Sequence, residues 1–428
     1  MAFPKGFLIG ASTAAHQVEG NNIHSDYWAQ EQLPHSSFTE PSGIACDHYN
    51  RYEEDIKLMA QAGLNAYRFS IEWARVEPEE GQFDEEAIEH YRRVIACCRE
   101  NGVEPIVTLM HFTSPVWLIR KGGWEAESTI HDFRRYAEYV TQKLGHELRY
   151  ICTINEANMG LQLAAISRRF RLMAEQAKRA PKAEGTVQVG MNFEKMMENM
   201  KYAAAENAQV FGTPNPQVFV SSRTPEGDTL VFRAHQAARE GIKAIYPQIR
   251  VGITLSLHDL QALPGGEQYA EDAWDEEFRH YLPYIQGDDF LGVQNYTRTQ
   301  YGPQGQLPCP EGAELTQMEY EFYPEALEHV IRKVYADFKG DMIVTENGIA
   351  TADDSRRVEF IRRALHGVEN CVGDGIPVKG YCHWSLMDNF EWQKGFSMTF
   401  GLMAVNRETM ERKPKESLAF LGSWRREA

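Results

Sequence analysis

Long apolar runs are missing from this chain of 428 residues, in which no stretch of 18 apolar residues occurs. A membrane-spanning helix needs about 20 such residues, so we do not expect the protein to cross a membrane. The N-terminus also lacks a basic segment followed by a long apolar run, which is the pattern of a secretory signal. Both absences predict a cytoplasmic protein without a membrane partner.

Cysteine is scarce as well. The seven residues are odd in number and show neither a CxxC motif nor Cys/His ligand spacing. They therefore exclude a complete disulfide framework and give no indication of a zinc site, so a reducing compartment is the simpler interpretation. The 33 glycines and 19 prolines are too few for a collagen-like or disordered chain.

Positive charge is in deficit, because 44 lysines and arginines face 61 aspartates and glutamates for a formal net charge of −17. Binding a polyanion requires a surplus of basic side chains on some face, so we expect no nucleic-acid partner. One basic stretch, residues 165–185, carries a local net charge of +4, with six basic residues against two acidic ones. A solvated helix face explains it more simply than a binding patch does.

Short apolar runs alternate with longer amphipathic segments, which predicts repeated βα units around a parallel sheet. Segments such as Asp47–Ala62 and Asp84–Asn101 have the three- and four-residue apolar spacing of covering helices. Eight strands without a linker predict an α/β fold, one (β/α)8 TIM-barrel domain over residues 1–428, with long loops and an atypical region at 157–225. The candidate strands are Gly6–Ser12, Ala66–Trp73, Pro105–Met110, Tyr150–Glu156, Arg250–Leu257, Phe290–Tyr296, Met342–Glu346 and Val378–Trp384.

Polar and aromatic residues gather where these apolar strands end, and in a barrel such ends converge on the mouth that carries catalytic groups. Glu156 and Glu346 stand out, because a charge ending an apolar strand is costly unless it faces a polar cavity. Hydrolysis of a glycosidic bond needs two such carboxyl groups. One protonates the leaving oxygen, and the other attacks the sugar or activates water.

Ordered blocks of sequence resemble glycoside hydrolase family 1, the β-glucosidase family, over nearly the whole chain. The resemblance implies a TIM barrel and a glycoside hydrolase with a small-molecule β-glycoside substrate and no cofactor or metal. The blocks are Gln17-Val-Glu-Gly20, Asp47-His-Tyr49, Ala66-Tyr-Arg-Phe-Ser70, Thr108 to Pro115, Gly122-Gly-Trp124, Asn155-Glu156, Phe290-Leu-Gly-Val293 with Tyr296, Tyr323-Pro-Glu325, Thr345-Glu-Asn-Gly348 and Trp384 to Trp392.

The same resemblance implies a retaining exo-β-glycosidase in which Glu346 is the nucleophile and Glu156 the general acid/base. Arg68 and Tyr296 would hydrogen-bond the nucleophile and keep it ionised. The charge of Glu346 would raise the pKa of Glu156. The residues that would bind the sugar are Gln17, His111, Asn155, Trp384, Glu391 and Trp392.

Three departures from the family pattern affect this site. Ala157 stands where the family has a proline after the acid/base; since proline would bias Glu156 toward extended backbone, we expect a modest loss of pre-organisation. Gln294-Asn295-Tyr296 replaces an Asn-Tyr-Tyr run and keeps only the second tyrosine. Phe112 replaces a common tryptophan and changes the aromatic floor.

The phospho-glycosidase branch of the family replaces the sugar-binding glutamate by serine and adds lysine and tyrosine for phosphate. Here Glu391 is retained, and it would repel a dianionic phosphate, whereas Lys394 alone is too little to reverse this. The sequence therefore favours the non-phospho branch over a 6-phospho-β-glucosidase.

A β-glucosidase with tolerance for galactosides or fucosides is the favoured function. A transglycosylating β-glycosidase is an alternative, and a non-enzymatic sugar-binding protein is disfavoured because it would not need both Glu156 and Glu346. A further hypothesis places Arg168, Arg169 and Arg171 at the aglycone entrance. The natural aglycone is left open, and so is a homo-oligomeric state.

Overall fold

A computed structural model describes residues 3–167 and 189–426, and eight of its strands close into a parallel barrel. The strands are β1 Leu8–Ser12, β2 Ala66–Ser70, β3 Glu104–Met110, β4 Tyr150–Ile154, β5 Arg250–Ser256, β6 Asp259–Ala262, β7 Phe290–Gln294, β8 Arg298–Gly302, β9 Gly305–Gln306, β10 Met342–Asn347, β11 Val378–Trp384, β12 Met403–Val405 and β13 Arg412–Pro414.

Helices follow the barrel strands and cover the barrel. They are α1 Ala15–Val18, α2 Asp26–Glu31, α3 His48–Ala62, α4 Trp73–Val76, α5 Glu85–Glu100, α6 Val116–Arg120, α7 Ser128–Leu144, α8 over residues 159–167, α9 Phe193–Phe211, α10 Pro225–Ile245, α11 Glu267–Glu277, α12 Leu282–Ile285, α13 Ala326–Asp337, α14 Asp354–Gly373 and α15 Glu416–Arg426. Short 3-10 turns lie at Gly123–Glu125, Gly145–Glu147, Arg279–Tyr281 and Trp392–Lys394. No helix of the described residues is long and apolar enough to span a bilayer.

The barrel runs in the order β1, β2, β3, β4, β5, β7, β10, β11 and closes where β11 pairs with β1. Every neighbouring pair is parallel, as the alternation of strands and helices predicted. Outside the barrel, β6, β8 and β9 form a small sheet, and β12 pairs with β13. The predicted (β/α)8 fold and all eight predicted strands are confirmed.

Three predicted strands run two or three residues too far at their carboxyl ends. Tyr150–Glu156 stops at Ile154, Phe290–Tyr296 stops at Gln294, and Ala66–Trp73 stops at Ser70. The first of these strands ends just before Glu156, whose backbone is left-handed with φ of +43°, outside the range of a regular strand. The strands therefore stop where the polar side chains of the mouth begin.

Inside the barrel, one layer of apolar side chains fills the space below the mouth. It consists of Leu8, Ala66, Ile106, Tyr150, Cys152, Phe290, Ile343 and Cys382. Because side chains alternate along a strand, Arg68 points to the same side of β2 as Ala66, one layer nearer the mouth. This packed floor supports the polar groups above it.

Candidate active site

Glu346 lies near the carboxyl end of β10 and is held at both of its oxygens. Arg68 Nη1 donates to Oε1 at 2.5 Å, and the Tyr296 hydroxyl donates to Oε2 at 2.6 Å. Glu346 is 3% exposed and Arg68 is fully buried. Two strong donors fix a buried carboxylate in position and oppose the rise in its pKa that burial causes.

Arg68 extends this network to the next polar residues of the mouth. Its Nε donates to Thr108 Oγ1 at 3.0 Å, and its Nη2 donates to Asn155 Oδ1 at 2.6 Å. Gln294 Nε2 also donates to that Asn155 oxygen, at 2.8 Å. Since the oxygen of Asn155 faces these donors, its amide nitrogen turns toward His111 Nε2, 3.2 Å away.

Glu156 follows Asn155 in the turn after β4 and faces the same cavity as Glu346. Its Oε2 is buried and has no hydrogen-bond partner among the described residues. The backbone differs from the extended geometry that a following proline would impose, because φ of Glu156 is +43°. Polar atoms left unpaired in a cavity are typical of a site that a polar ligand completes.

The two carboxyl groups differ in how strongly each holds its proton. Burial and then the neighbouring charge of Glu346 raise the pKa of Glu156 well above its usual value. Burial also raises the pKa of Glu346, but Arg68 and Tyr296 oppose that rise. The first proton therefore leaves Glu346, and Glu156 remains the acid of the pair.

Glu391 lines another side of the site, and Gln17 contacts it. Gln17 Nε2 donates to the Phe390 carbonyl at 2.8 Å and lies 3.4 Å from Glu391 Oε2, while Gln17 Oε1 has no partner among the described residues. The Gly190 N–H donates to Glu391 Oε1 at 3.1 Å. Burial is the main cause that raises the pKa of Glu391, to about 8.

Aromatic rings enclose the remaining sides. The His111 ring stacks 5.6 Å from Trp384 and 6.2 Å from Trp392, and Phe112 lies 5.3 Å from Trp392. Burial and the charge of Arg68 lower the pKa of His111 well below its usual value, so its ring is neutral. Because Nε2 faces the Asn155 amide, Nδ1 carries the proton, and it has no partner among the described residues.

These residues surround one cavity that opens to solvent. Eight of the ten predicted site residues line this cavity. The other two do not line it, but Arg68 contacts Glu346 and Gln17 contacts Glu391. The lining residues are His111, Phe112, Asn155, Glu156, Val189, Tyr296, Glu346, Trp384, Glu391 and Trp392. All of the residues predicted for the site are thus found together.

Sequence reasoning missed Val189, Gly190 and Thr254. Val189 lines the cavity, and a Cβ on Gly190 would lie 2.5 Å from the Glu391 carbonyl oxygen. The sequence signals only one of these three residues, because Gly190 is a glycine in a poorly matched region and a glycine permits such a close approach.

Asn295 follows Gln294 in the run that departs from the family pattern. Its side chain donates to the Leu257 and Thr297 carbonyls, which accounts for an asparagine at this position.

The basic stretch lies almost wholly outside the described residues, since the structure describes nothing from 168 to 188. The predicted aglycone contacts Arg168, Arg169 and Arg171 fall in this gap. The rest of the region predicted as atypical contains α8, α9 and the loop that leads to α10.

Comparison with known proteins finds similar beta-glycosidases and beta-glucosidases over almost the full length of the chain. The beta-glycosidase BGL167 is 45% identical with a TM-score of 0.87, covering 100% of this chain and 98% of its own. The beta-glucosidase 1317 is 40% identical with a TM-score of 0.87, and the match covers 99% of each chain. A beta-glucosidase from Agrobacterium sp. is 30% identical over 99% of this chain and 94% of its own. The model of glycosyl hydrolase family 1 matches residues 1–182 and 306–427. The chain therefore belongs to glycosyl hydrolase family 1 and is a glycoside hydrolase.

Proposed function

We propose that the protein is a retaining, exo-acting β-glycosidase whose preferred substrates are β-glucosides. The observation that carries this proposal is the pairing of Glu346, held by Arg68 and Tyr296, with Glu156, whose pKa is raised well above its usual value in the same cavity. Retention requires this division between a nucleophile and an acid. The names of the matched relatives, beta-glucosidase and beta-glycosidase, support the substrate class.

In the first step, a Glu346 oxygen attacks the anomeric carbon while the bond to the leaving oxygen breaks. Glu156 gives its proton to that oxygen, so the aglycone departs as a neutral alcohol. The negative charge of Glu346 is consumed in the ester that forms. Because that charge raised the pKa of Glu156, the pKa falls, and Glu156 can act as a base.

In the second step, Glu156 takes a proton from water as the water oxygen attacks the anomeric carbon. The ester bond breaks, and Glu346 is released as a carboxylate with Arg68 and Tyr296 still in place to receive its charge. Two displacements on opposite faces leave the sugar with its original β configuration.

Unpaired polar atoms around the cavity support binding of a neutral sugar. His111 Nδ1 provides a donor, and Gln17 Oε1 and Glu156 Oε2 provide oxygens, each without a partner among the described residues. The Trp384 and Trp392 rings supply apolar faces for the C–H groups of a pyranose. We propose that the Asn155 amide nitrogen, which faces His111 Nε2, donates its second hydrogen to the 2-hydroxyl.

The charges around the cavity support the non-phospho branch. Three carboxyl groups line it, those of Glu156, Glu346 and Glu391, and none of the described lining residues is lysine or arginine. A phosphate dianion would meet these carboxyl groups without a compensating cation. The same Glu391 accepts hydrogen bonds and suits a free hydroxyl on the sugar.

We further propose one catalytic domain over residues 1–428 that works in the cytoplasm. The barrel strands extend from Leu8 to Trp384, which supports a single domain. Six of the seven cysteines are buried thiols without a disulfide, which suits a reducing compartment; they are Cys46, Cys97, Cys98, Cys152, Cys371 and Cys382.

A panel of 4-nitrophenyl β-glycosides tests this function: glucoside, galactoside, fucoside and glucoside 6-phosphate. We expect hydrolysis of the glucoside with β-glucose as the first product by ¹H NMR. We expect kcat/KM to be about 100-fold lower for the 6-phosphate, because its dianion meets the charge of Glu346 and no compensating cation among the described lining residues. A first product with the α configuration would contradict retention. Failure of all four substrates would contradict the proposed class.

Replacing Tyr296 by phenylalanine is expected to move the acidic limb of the pH profile of kcat/KM to higher pH. The Tyr296 hydroxyl lowers the pKa of Glu346, so its loss raises that pKa, and the ionised nucleophile is reached only at higher pH. We also expect about a tenfold fall in kcat/KM at the optimum, the usual effect of one hydrogen bond to a charged group.

Tyr136→Phe is the matched control, since its buried hydroxyl donates to the Ile71 and Leu109 carbonyls and not to Glu346. Its acidic limb should coincide with that of the parent. An acidic limb of Tyr296→Phe that also coincides with the parent would contradict the proposed role of Tyr296.

A further inference from the structure

We propose that Thr254 is a positioning residue for the reaction, because it holds the turn that carries Glu156. This inference rests on the proposed role of Glu156 as the acid/base. Thr254 lies on β5, is fully buried and is not among the residues that line the cavity. It acts on the chemistry only through its neighbours.

Thr254 makes hydrogen bonds to three consecutive residues of the turn. Its hydroxyl donates to Asn155 Oδ1 at 3.1 Å and accepts the Glu156 N–H at 3.0 Å. Its carbonyl accepts the Ala157 N–H at 3.1 Å. One residue therefore fixes the sugar-binding amide, the backbone of the acid/base and the position that follows it.

The pairing of β4 with β5 explains why such a contact is needed. The two strands are in register over Tyr150–Cys152 and Arg250–Gly252, and the ladder stops below the mouth. At the level of Glu156 the backbone has φ of +43°, a conformation that persists only when the surroundings hold it. The three hydrogen bonds from Thr254 hold the turn beyond the point where the β4–β5 ladder ends.

The hydroxyl of Thr254 also orients Asn155. The side-chain oxygen of Asn155 accepts hydrogen bonds from Arg68, Thr254 and Gln294. The amide therefore cannot rotate without losing three donors. The amide nitrogen is thereby kept on the side of His111. The turn is thus tied to the nucleophile through Arg68 and to β5 through Thr254.

Proline at position 157 could not take part in this arrangement. It lacks the N–H that donates to the Thr254 carbonyl, and it disfavours helical backbone at the residue before it. The turn therefore requires a residue with a backbone N–H at position 157, and Ala157 provides it. Thr254 supplies from the next strand the restraint that the local sequence lacks.

The test compares Thr254→Val, which keeps the shape and loses the hydroxyl, with Thr254→Ser, which keeps the hydroxyl. Acid assistance matters most for a poor leaving group, so kcat/KM is measured with phenyl and with 2,4-dinitrophenyl β-glucoside. We express the result as the leaving-group ratio, the kcat/KM for the phenyl substrate divided by that for the dinitrophenyl substrate. We expect Thr254→Val to lower this ratio about tenfold. Thr254→Ser should keep the parental ratio, and Ala157→Pro should lower it.

If Thr254 only stabilised the fold, its replacement would lower kcat/KM for both substrates by the same factor and leave the leaving-group ratio unchanged. Thr141→Val is the control for a buried hydroxyl, since Thr141 donates to the Ala137 carbonyl in α7; its ratio should equal that of the parent. An unchanged ratio in Thr254→Val, or a raised ratio in Ala157→Pro, overturns the inference.

The leaving-group ratio of Glu156→Ala separates this inference from the proposed function. If Glu156→Ala shows a strong leaving-group dependence and Thr254→Val shows none, only the role of Thr254 is wrong. If kcat/KM of Glu156→Ala does not depend on the leaving group, Glu156 is not the acid. The assignment of Glu156 and the inference about Thr254 are then both wrong.

Discussion

Glu346→Ala is expected to lower kcat/KM for an aryl β-glucoside by a factor on the order of 10⁵, comparable to removal of other covalent nucleophiles. The substitution removes the oxygen that would attack the anomeric carbon and leaves Arg68 without its buried partner. The measurement is the rate of nitrophenol release at saturating and limiting substrate. Thermal unfolding shows whether the variant is folded.

Glu346→Gln is the control for the lost side-chain volume, because it keeps the shape of the side chain and its amide oxygen can still accept from Arg68. Its amide nitrogen can only donate, to the oxygen of the Tyr296 hydroxyl that donates to Glu346 in the parent. Glu346→Gln should be as inactive as Glu346→Ala, since a neutral amide is a poor nucleophile. Parental activity in either folded variant would contradict the assignment of Glu346.

Glu156→Ala is expected to lower kcat/KM for phenyl β-glucoside by about 10²–10⁴, the usual contribution of a general acid. With 2,4-dinitrophenyl β-glucoside, whose leaving group needs no proton, kcat/KM should stay near the parental value. The kcat for that substrate should still fall, because no base then activates water for the second step. The glycosyl-enzyme should accumulate and be visible by mass spectrometry.

Added azide should raise the kcat of Glu156→Ala on the dinitrophenyl substrate and yield β-glucosyl azide, because the anion needs no base and enters from the side that Glu156 vacates. Equal losses on the two substrates would show that Glu156 does not act as the acid. Lack of any response to azide would argue against a rate-limiting second step in this variant.

The fold could be predicted from the sequence because barrel strands are apolar and separated by amphipathic helices. The ends of the strands could not be placed as well. Glu156 and Phe112 both have positive φ, at +43° and +71°, and neither is a glycine that would have marked the turn. Their conformations depend on contacts with neighbouring strands, which a local pattern does not show.

The two glutamates could be predicted because each breaks an apolar strand at its carboxyl end. Thr254 could not, because a β-branched residue in a buried strand looks like ordinary packing. Its contacts depend on the register between β4 and β5 and on where that pairing stops. Gly190 was missed for a similar reason, since its N–H meets Glu391, 201 residues further along the chain.

The direction of the rise in the pKa of Glu156 could be predicted from its partner's charge, although burial is the larger cause. The rise in the pKa of Glu391 to about 8 could not, because its main cause is the depth of burial. Burial therefore favours the neutral form of Glu391 in the free site. Exclusion of phosphorylated sugars then depends on the missing cation among the described lining residues as much as on a negative charge.

The most direct test of the central claim is the product that Glu346→Gly forms from an activated β-glucoside in the presence of azide. With Glu346 as the nucleophile of a retaining enzyme, azide occupies the vacated space and attacks the opposite face of the sugar. The predicted product is α-glucosyl azide, identified by the anomeric coupling in its ¹H NMR spectrum. A β-glucosyl azide would place azide on the side of the acid/base and contradict the assignment.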